Sequence, residues 1–269
     1  MKRKIGYLSI MYTLFLILLL LSGSLVGILS EIVYYLAFAI PFVLALLIDR
    51  KEKNEKKRYY LLSHEKIKDT LPTVAPTLSV VILLSYLTSV LIYALTGKTN
   101  SVDLGGSFVL ALIDHALIPA ILEEALFRYI PLRLLAPHSR RCAVILSSVF
   151  FSLVHHNLFT IPYALAAGVI FMAIDIAADS VIPSFILHFV NNALSVGLII
   201  FADNPAFAPV LYLILGILTV VSLCFIFVRR EKYRKMLNFA FDRGEGVGFT
   251  PELAVFAAVC LSLAIISLI

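Results

Sequence analysis

Residues 211–228 read Leu-Tyr-Leu-Ile-Leu-Gly-Ile-Leu-Thr-Val-Val-Ser-Leu-Cys-Phe-Ile-Phe-Val, with no charged side chain on any face. Residues 5–20 form a second run of the same kind. Strands of a membrane β-barrel would instead alternate polar and apolar residues. Inside a bilayer a continuous apolar run can satisfy its backbone hydrogen bonds as a helix. The pattern therefore predicts transmembrane helices.

The whole chain has the composition of a membrane protein. Of its 269 residues 61% are hydrophobic and 14% are charged, whereas soluble domains carry about 25% charged residues. We predict an all-α, polytopic bundle of about 8–9 transmembrane helices, divided into N-terminal helices (1–106), a core (107–200) and C-terminal helices (201–269). The expected spans are 5–29, 32–48, 71–95, 107–131, 142–156, 161–178, 181–201, 208–228 and 252–269.

The net charge of +5 comes from Lys and Arg residues that lie in the links between apolar blocks. This distribution follows the positive-inside rule and does not favour nucleic-acid binding. It predicts a cytoplasmic N-terminus, cytoplasmic links at 49–70, 132–141, 179–180 and 229–251, and an external C-terminus. The mixed charges from Asp49 to Asp69 favour a solvated or interfacial segment. The three cysteines, Cys142, Cys224 and Cys260, have no paired spacing and are treated as small hydrophobic residues.

Ionisable side chains at membrane depth are costly and therefore mark candidate functional residues. The segment 121–128, Ile-Leu-Glu-Glu-Ala-Leu-Phe-Arg, contains three of them. Glu124 and Arg128 are four residues apart on a helix and are expected to pair. Glu123 is turned by about 100°, so it is free to face a cavity and act as a general base. The alternative is a purely structural ion-pair network.

Two further polar clusters follow on other helices. One contains adjacent histidines, of which only one, His155 or His156, is expected to share a cavity with Glu123. The other places His188 and Asn192 four residues apart, on one helix face. We predict that Glu123, His155, His188 and Asn192 converge on one polar cavity in the cytoplasmic half of the membrane. Hydrogen bonding between helices is the structural alternative.

These side chains suit amide hydrolysis by activated water, in which remaining donors stabilise the oxyanion. Ser152 and Ser180 lie near the clusters but outside any recognisable nucleophile motif, so a serine mechanism ranks behind. Glu123, His155 and His188 could alternatively form a zinc set, although the His-Glu-x-x-His arrangement is absent. No cofactor is certain from the sequence, and zinc is the alternative mechanism.

The three motifs are Glu-Glu-x-x-x-Arg at 123–128, Phe-x-x-x-His at 151–155 and His-x-x-x-Asn at 188–192. In order and spacing the chain resembles the CAAX protease and bacteriocin-processing family of intramembrane proteases, over roughly residues 107–200. The resemblance implies that Glu123 and His155 activate water and that His188 and Asn192 bind the oxyanion. It also implies that Glu124 and Arg128 support the site and that His156 has no part in it.

The resemblance leaves the substrate open. The eukaryotic branch of that family cleaves prenylated CAAX proteins, whereas bacterial relatives include bacteriocin-immunity proteins, regulators and scaffolds. The basic pattern favours a bacterial plasma membrane, where a prenylated substrate is not expected. We therefore expect an intramembrane endopeptidase acting on a membrane-embedded or lipid-proximal peptide. A non-enzymatic scaffold or immunity protein is the main rival, and a transporter ranks third because paired interrupted helices are missing.

Overall fold

The computed structural model describes residues 1–51, 67–97, 107–201, 204, 206–242 and 248–266, and these residues contain helices and no strand. The helices are α1 (Lys2–Ser24), α2 (Ile28–Lys51), α3 (Ile67–Thr96), α4 (Phe108–Leu112), α5 (Ile118–Glu124), α6 (Ile130–Leu134), α7 (Arg140–Leu153), α8 (Ile161–Ala178), α9 (Ile182–Phe201), α10 (Phe207–Val228), α11 (Arg230–Ala240) and α12 (Pro251–Ile266). Two π-helical segments, π1 (Ile113–Leu117) and π2 (Ala125–Tyr129), join α4, α5 and α6 without a break. Residues 108–134 thus form one helical run, called here the glutamate helix.

The predicted all-α, multi-pass architecture is confirmed. In the described part of the chain, six helices are long and apolar enough to cross a membrane: α1, α2, α3, α8, α9 and α10. Helix α7 has 14 residues and rises only about 21 Å, which is less than the ~30 Å of a hydrocarbon core. The 16 residues of α12 are also fewer than a perpendicular crossing needs. The count of about 8–9 crossings and the division into three parts stay predictions.

Several boundaries differ from the predicted ones, and two of the differences are large. Helix α1 ends at Ser24 and not at residue 29, because Leu25 is extended and Gly27 adopts a φ of 65° that turns the chain into α2. The link predicted at 229–251 contains the helix α11. Helix α11 was not predicted because it contains no apolar block: it is charged on its outer face and buries Tyr233 and Ala240 against the bundle.

Helices α7 and α8 form a closely packed pair at the centre of the bundle. A Cβ atom added at Gly168 of α8 would lie 2.9 Å from the Cα atom of Ser148 on α7. Glycine therefore permits a backbone approach that any larger residue would prevent, as is common between membrane helices. Helix α9 packs against α8 and the glutamate helix, and α3 covers α8 and α9. This packing brings three motif-bearing elements together.

The π turn that follows Glu124 is supported from outside the glutamate helix. A π turn changes the hydrogen-bond pattern of the helix that contains it. The Leu126 carbonyl accepts a hydrogen bond of 2.9 Å from the Tyr12 hydroxyl of α1, and the Phe127 carbonyl accepts one from the Ser147 hydroxyl of α7. The Tyr12 ring also stacks on Phe127, with 5.0 Å between the ring centroids. These contacts hold the irregular turn in place.

Segments that were predicted to share the cytoplasmic side meet at one end of the bundle. Three pairs of residues make contact there: Lys4 with Leu134, Arg133 with Asp49 and Arg140 with Asp242. The N-terminus and the described residues of the links around 49, 133–140 and 242 therefore lie on a common side, called here the basic end. Which side of the membrane it faces stays a prediction.

Some predictions fall on residues that the structure does not describe. They include most of the predicted interfacial segment (52–66), most of the external link at 96–106 and the last three residues of the ninth span (267–269).

Candidate active site

A cavity of about 70 Å³ lies between the glutamate helix, α3, the end of α7, α8 and α9. We call it the polar pocket. Its polar lining residues are Glu123, His155, Tyr163, His188, Asn191 and Asn192. The four side chains that the sequence motifs singled out for catalysis are all among them. Because a buried water needs only ~10–15 Å³ of accessible volume, the polar pocket has room for several waters or for a peptide group.

The His188 ring lies between the two adjacent glutamates. Its Nδ1 atom is 2.8 Å from Oε1 of Glu124, and its Nε2 atom is 3.8 Å from Oε2 of Glu123. Neighbouring residues on an α-helix diverge by about 100°, so their carboxylates reach different edges of the imidazole. The hydrogen bond to Glu124 places a proton on Nδ1 and thereby fixes the ring orientation. Nε2 is left for chemistry beside Glu123.

Glu124 also makes the predicted pair with Arg128. The Arg128 Nε atom is 3.6 Å from Oε2 of Glu124, and the side chains are 0% and 3% exposed respectively. The guanidinium lies 4.1 Å above the centre of the Phe151 ring, in a cation–π contact. The sequence predicted the contact of Glu124 with Arg128. It did not predict the contact of Glu124 with His188. Glu124 thus joins the arginine to the histidine.

His155 lies in a turn that follows α7, and this turn places its side chain in the polar pocket. The predicted span 142–156 is too long, since α7 ends at Leu153. The His155 Nδ1 atom lies 2.7 Å from the Phe151 carbonyl, so the side chain caps the helix C-terminus by donating to a terminal carbonyl group. That bond leaves Nε2 as the unprotonated nitrogen of a neutral ring. His156 adopts a φ of 36° and does not line the polar pocket.

The two asparagines of α9 are linked to each other. Asn191 Nδ2 donates to Asn192 Oδ1 over 3.3 Å. This bond occupies the Asn192 oxygen and leaves its amide hydrogens available. The sequence analysis gave Asn191 no role, although it lines the polar pocket as well.

The sequence analysis also missed Asp175, which is fully buried near the end of α8. Its Oδ1 atom accepts a hydrogen bond of 3.1 Å from the backbone N–H of Ser184, in the first turn of α9. The first N–H groups of a helix have no partner within the helix, and a side-chain oxygen can satisfy one of them. Asp175 therefore anchors the helix that carries His188. Its position in an apolar segment was a signal of the same kind as the one that identified Glu123.

The alternative mechanisms receive no geometric support from the described residues. Ser152 donates to the Val149 carbonyl of its own helix, Ser180 accepts from the N–H of Ile182, and neither lines the polar pocket. No three His, Cys, Asp or Glu side chains within the described ranges are arranged to hold a metal ion. The alternative zinc set of Glu123, His155 and His188 stays a prediction, since the bond from His188 Nδ1 to Glu124 leaves Nε2 without a proton and metal-binding histidines commonly make a bond of this kind.

Comparison with known protein families gives a match over part of the chain. Residues 105–194, about a third of the chain, match the family model described as type II CAAX prenyl endopeptidase Rce1-like. Neither the curated proteins nor the solved structures contain a match. The matched segment contains the glutamate helix, α7, α8 and the part of α9 that carries His188 and Asn192. The match confirms, for residues 105–194, the predicted resemblance to the CAAX protease and bacteriocin-processing family.

Proposed function

We propose that the chain is an intramembrane endopeptidase that hydrolyses a peptide bond of a membrane-associated protein or peptide. The observation that carries this proposal is the His188 ring held between the carboxylates of Glu123 and Glu124. Two adjacent acids thereby acquire different surroundings. Glu124 is tied to Arg128 and His188, whereas Glu123 faces the polar pocket. Separate environments of this kind allow two carboxylates to take separate roles.

Glu123 is the proposed general base. Its side chain is 20% exposed, and its Oε2 atom is buried without a hydrogen-bond partner among the described residues. That oxygen can accept a proton from a water in the polar pocket. His155 offers a second acceptor, because its Nδ1 proton is committed to the Phe151 carbonyl. A water held by both side chains is the proposed nucleophile.

His188 and Asn192 are the proposed oxyanion donors. When His188 carries protons on both nitrogens, Nε2–H donates while the Glu124 carboxylate stabilises the imidazolium. Asn192 adds a neutral donor, because its oxygen is already bonded to Asn191. Preorganised donors of this type typically contribute about 10²–10³ to the rate constant.

The proposed reaction needs no group besides these side chains and water. Attack forms the new C–O bond as the proton of the water passes to Glu123. Collapse of the tetrahedral intermediate breaks the C–N bond, and Glu123 returns the proton to the leaving amine. The proposed substrate is membrane-embedded or lipid-proximal, and the proposed location is a bacterial plasma membrane with the basic end in the cytoplasm.

The test compares peptides in membranes that contain the wild type, His155→Asn or His156→Asn. The two histidines are adjacent, but only His155 lines the polar pocket, so His156→Asn is the matched control. We expect quantitative mass spectrometry to find peptides that the wild type and His156→Asn remove and that accumulate with His155→Asn. Identical peptide profiles for all three proteins would refute the enzyme and favour the non-enzymatic alternative.

A further inference from the structure

A second and larger cavity of about 420 Å³ lies between α3, α9 and α10. We call it the apolar groove. Five of its twelve lining residues are aliphatic: Ile82, Leu83, Leu194, Leu198 and Leu215. Its volume falls in the range of ~300–1,000 Å³ that is usual for ligand sites.

The apolar groove adjoins the polar pocket along two helices. Asn191 of α9 lines both cavities. On α3, Val81 lines the polar pocket and the next residue, Ile82, lines the groove. The two cavities therefore adjoin beside Asn191, within reach of one extended chain.

We propose that the apolar groove binds an extended, apolar stretch of about three substrate residues next to the scissile bond. This inference rests on the proposed endopeptidase function and adds the substrate class. The lining of α9 runs from Asn191 to Leu198, which corresponds to about 10 Å along a helix. An extended chain advances about 3.3–3.6 Å per residue, so three residues span that length.

The polar groups of the groove favour a peptide over a lipid tail. Tyr86 and Tyr212 line the groove and are 63% and 56% exposed. Their hydroxyls and the Asn191 amide can bond to a peptide backbone, which carries a donor and an acceptor at most residues. A hydrocarbon chain offers these groups no partner. The hydroxyls of Ser195 and Thr219 donate to carbonyls of their own helices.

Glycines provide a matched pair of variants. A Cβ atom added at Gly216, which lines the groove, meets no atom within 4 Å. Gly216→Leu should therefore fill the groove without a clash. A Cβ atom at Gly197 of α9 also meets nothing within 4 Å, and Gly197 does not line the groove. Gly197→Leu is the control for adding the same side chain to a neighbouring helix.

The experiment first identifies peptides that wild-type membranes remove and Glu123→Gln membranes accumulate. A cleaved sequence is then made as an internally quenched peptide, together with a version in which the apolar residues flanking the cleaved bond are alanine. Both peptides are assayed with purified protein in nanodiscs. We expect Gly216→Leu to lower kcat/KM about tenfold or more on the first peptide, mainly through KM. On the alanine peptide we expect Gly216→Leu to lower kcat/KM about threefold or less. For Gly197→Leu we expect kcat/KM within about twofold of the wild-type value on both peptides.

The outcomes separate the two proposals. If wild-type and Glu123→Gln membranes contain the same peptides, the proposed function fails and the groove assignment falls with it. If they differ but Gly216→Leu cleaves the first peptide like wild type, the groove assignment alone is wrong and a lipid chain is the better occupant. Equal losses on both peptides would mean that Gly216→Leu disturbs the polar pocket, which also overturns the groove assignment.

Discussion

Replacing Glu124 by glutamine should destabilise the protein far more than the same change at Glu123. The Glu124 carboxylate is 3% exposed, accepts from His188 over 2.8 Å and lies 3.6 Å from Arg128, which is 0% exposed. Arg128 cannot lose its proton, so Glu124→Gln leaves a buried, uncompensated charge. Breaking a buried pair in this way typically costs about 3–5 kcal/mol. Glu123 Oε2 has no hydrogen bond to lose among the described residues, so we expect Glu123→Gln to change the free energy of unfolding by about 1 kcal/mol or less.

Thermal unfolding in detergent measures the difference between the two variants. With about 2–4 °C in Tm per kcal/mol, Glu124→Gln should lower Tm by roughly 6 °C or more, and Glu123→Gln by roughly 4 °C or less. Activity should separate the variants differently, because Glu123→Gln removes the proposed base and should reduce turnover by about 10² or more.

A compensating change tests the physical cause. The double variant Glu124→Gln/Arg128→Met removes the unpaired buried charge. It should recover most of the lost stability, since replacing both partners of a buried pair is often close to neutral. Activity should not return, because His188 still lacks its carboxylate. Equal Tm values for Glu123→Gln and Glu124→Gln would refute this account of the pair.

Further predictions concern packing, anchoring, metals and topology. Gly168→Ala should lower the free energy of unfolding by about 1–3 kcal/mol, measured by thermal unfolding, because its Cβ would meet α7; an unchanged Tm would contradict that contact. Asp175→Asn keeps an acceptor for α9 and should retain more activity than Asp175→Leu; equal activities would exclude the anchoring role. A zinc chelator should leave peptide cleavage unchanged, and loss of cleavage that zinc restores would refute the metal-free mechanism. With the natural cysteines replaced, an impermeant thiol reagent in intact cells should label Val26→Cys and not Lys235→Cys; the reverse would invert the orientation.

Most of the fold could be predicted from the sequence because helices that cross a bilayer are recognisable by their length and apolar composition. The span 161–178 coincides with α8, and the observed ends of α9 and α10 lie within one residue of the predicted ones. The structure departs from the prediction where an interaction other than overall apolarity determines the helix. Helix α11 is amphipathic and is stabilised by packing of one face, which a search for apolar blocks does not detect. Helix α7 ends early because the His155 side chain takes the carbonyl that a further helical turn would use.

The site was partly predictable because its local relations follow from helix geometry, whereas its long-range relations do not. The pairing of Glu124 with Arg128 and the common face of His188 and Asn192 depend only on a spacing of four residues. The contact between Glu124 and His188 joins residues 64 positions apart. That contact depends on how α9 packs against the glutamate helix, and Asp175 helps to fix this packing by holding the first turn of α9. The motifs thus identify the side chains of the proposed site, while the ring orientation that gives Glu123 and Glu124 different surroundings arises only when the helices assemble.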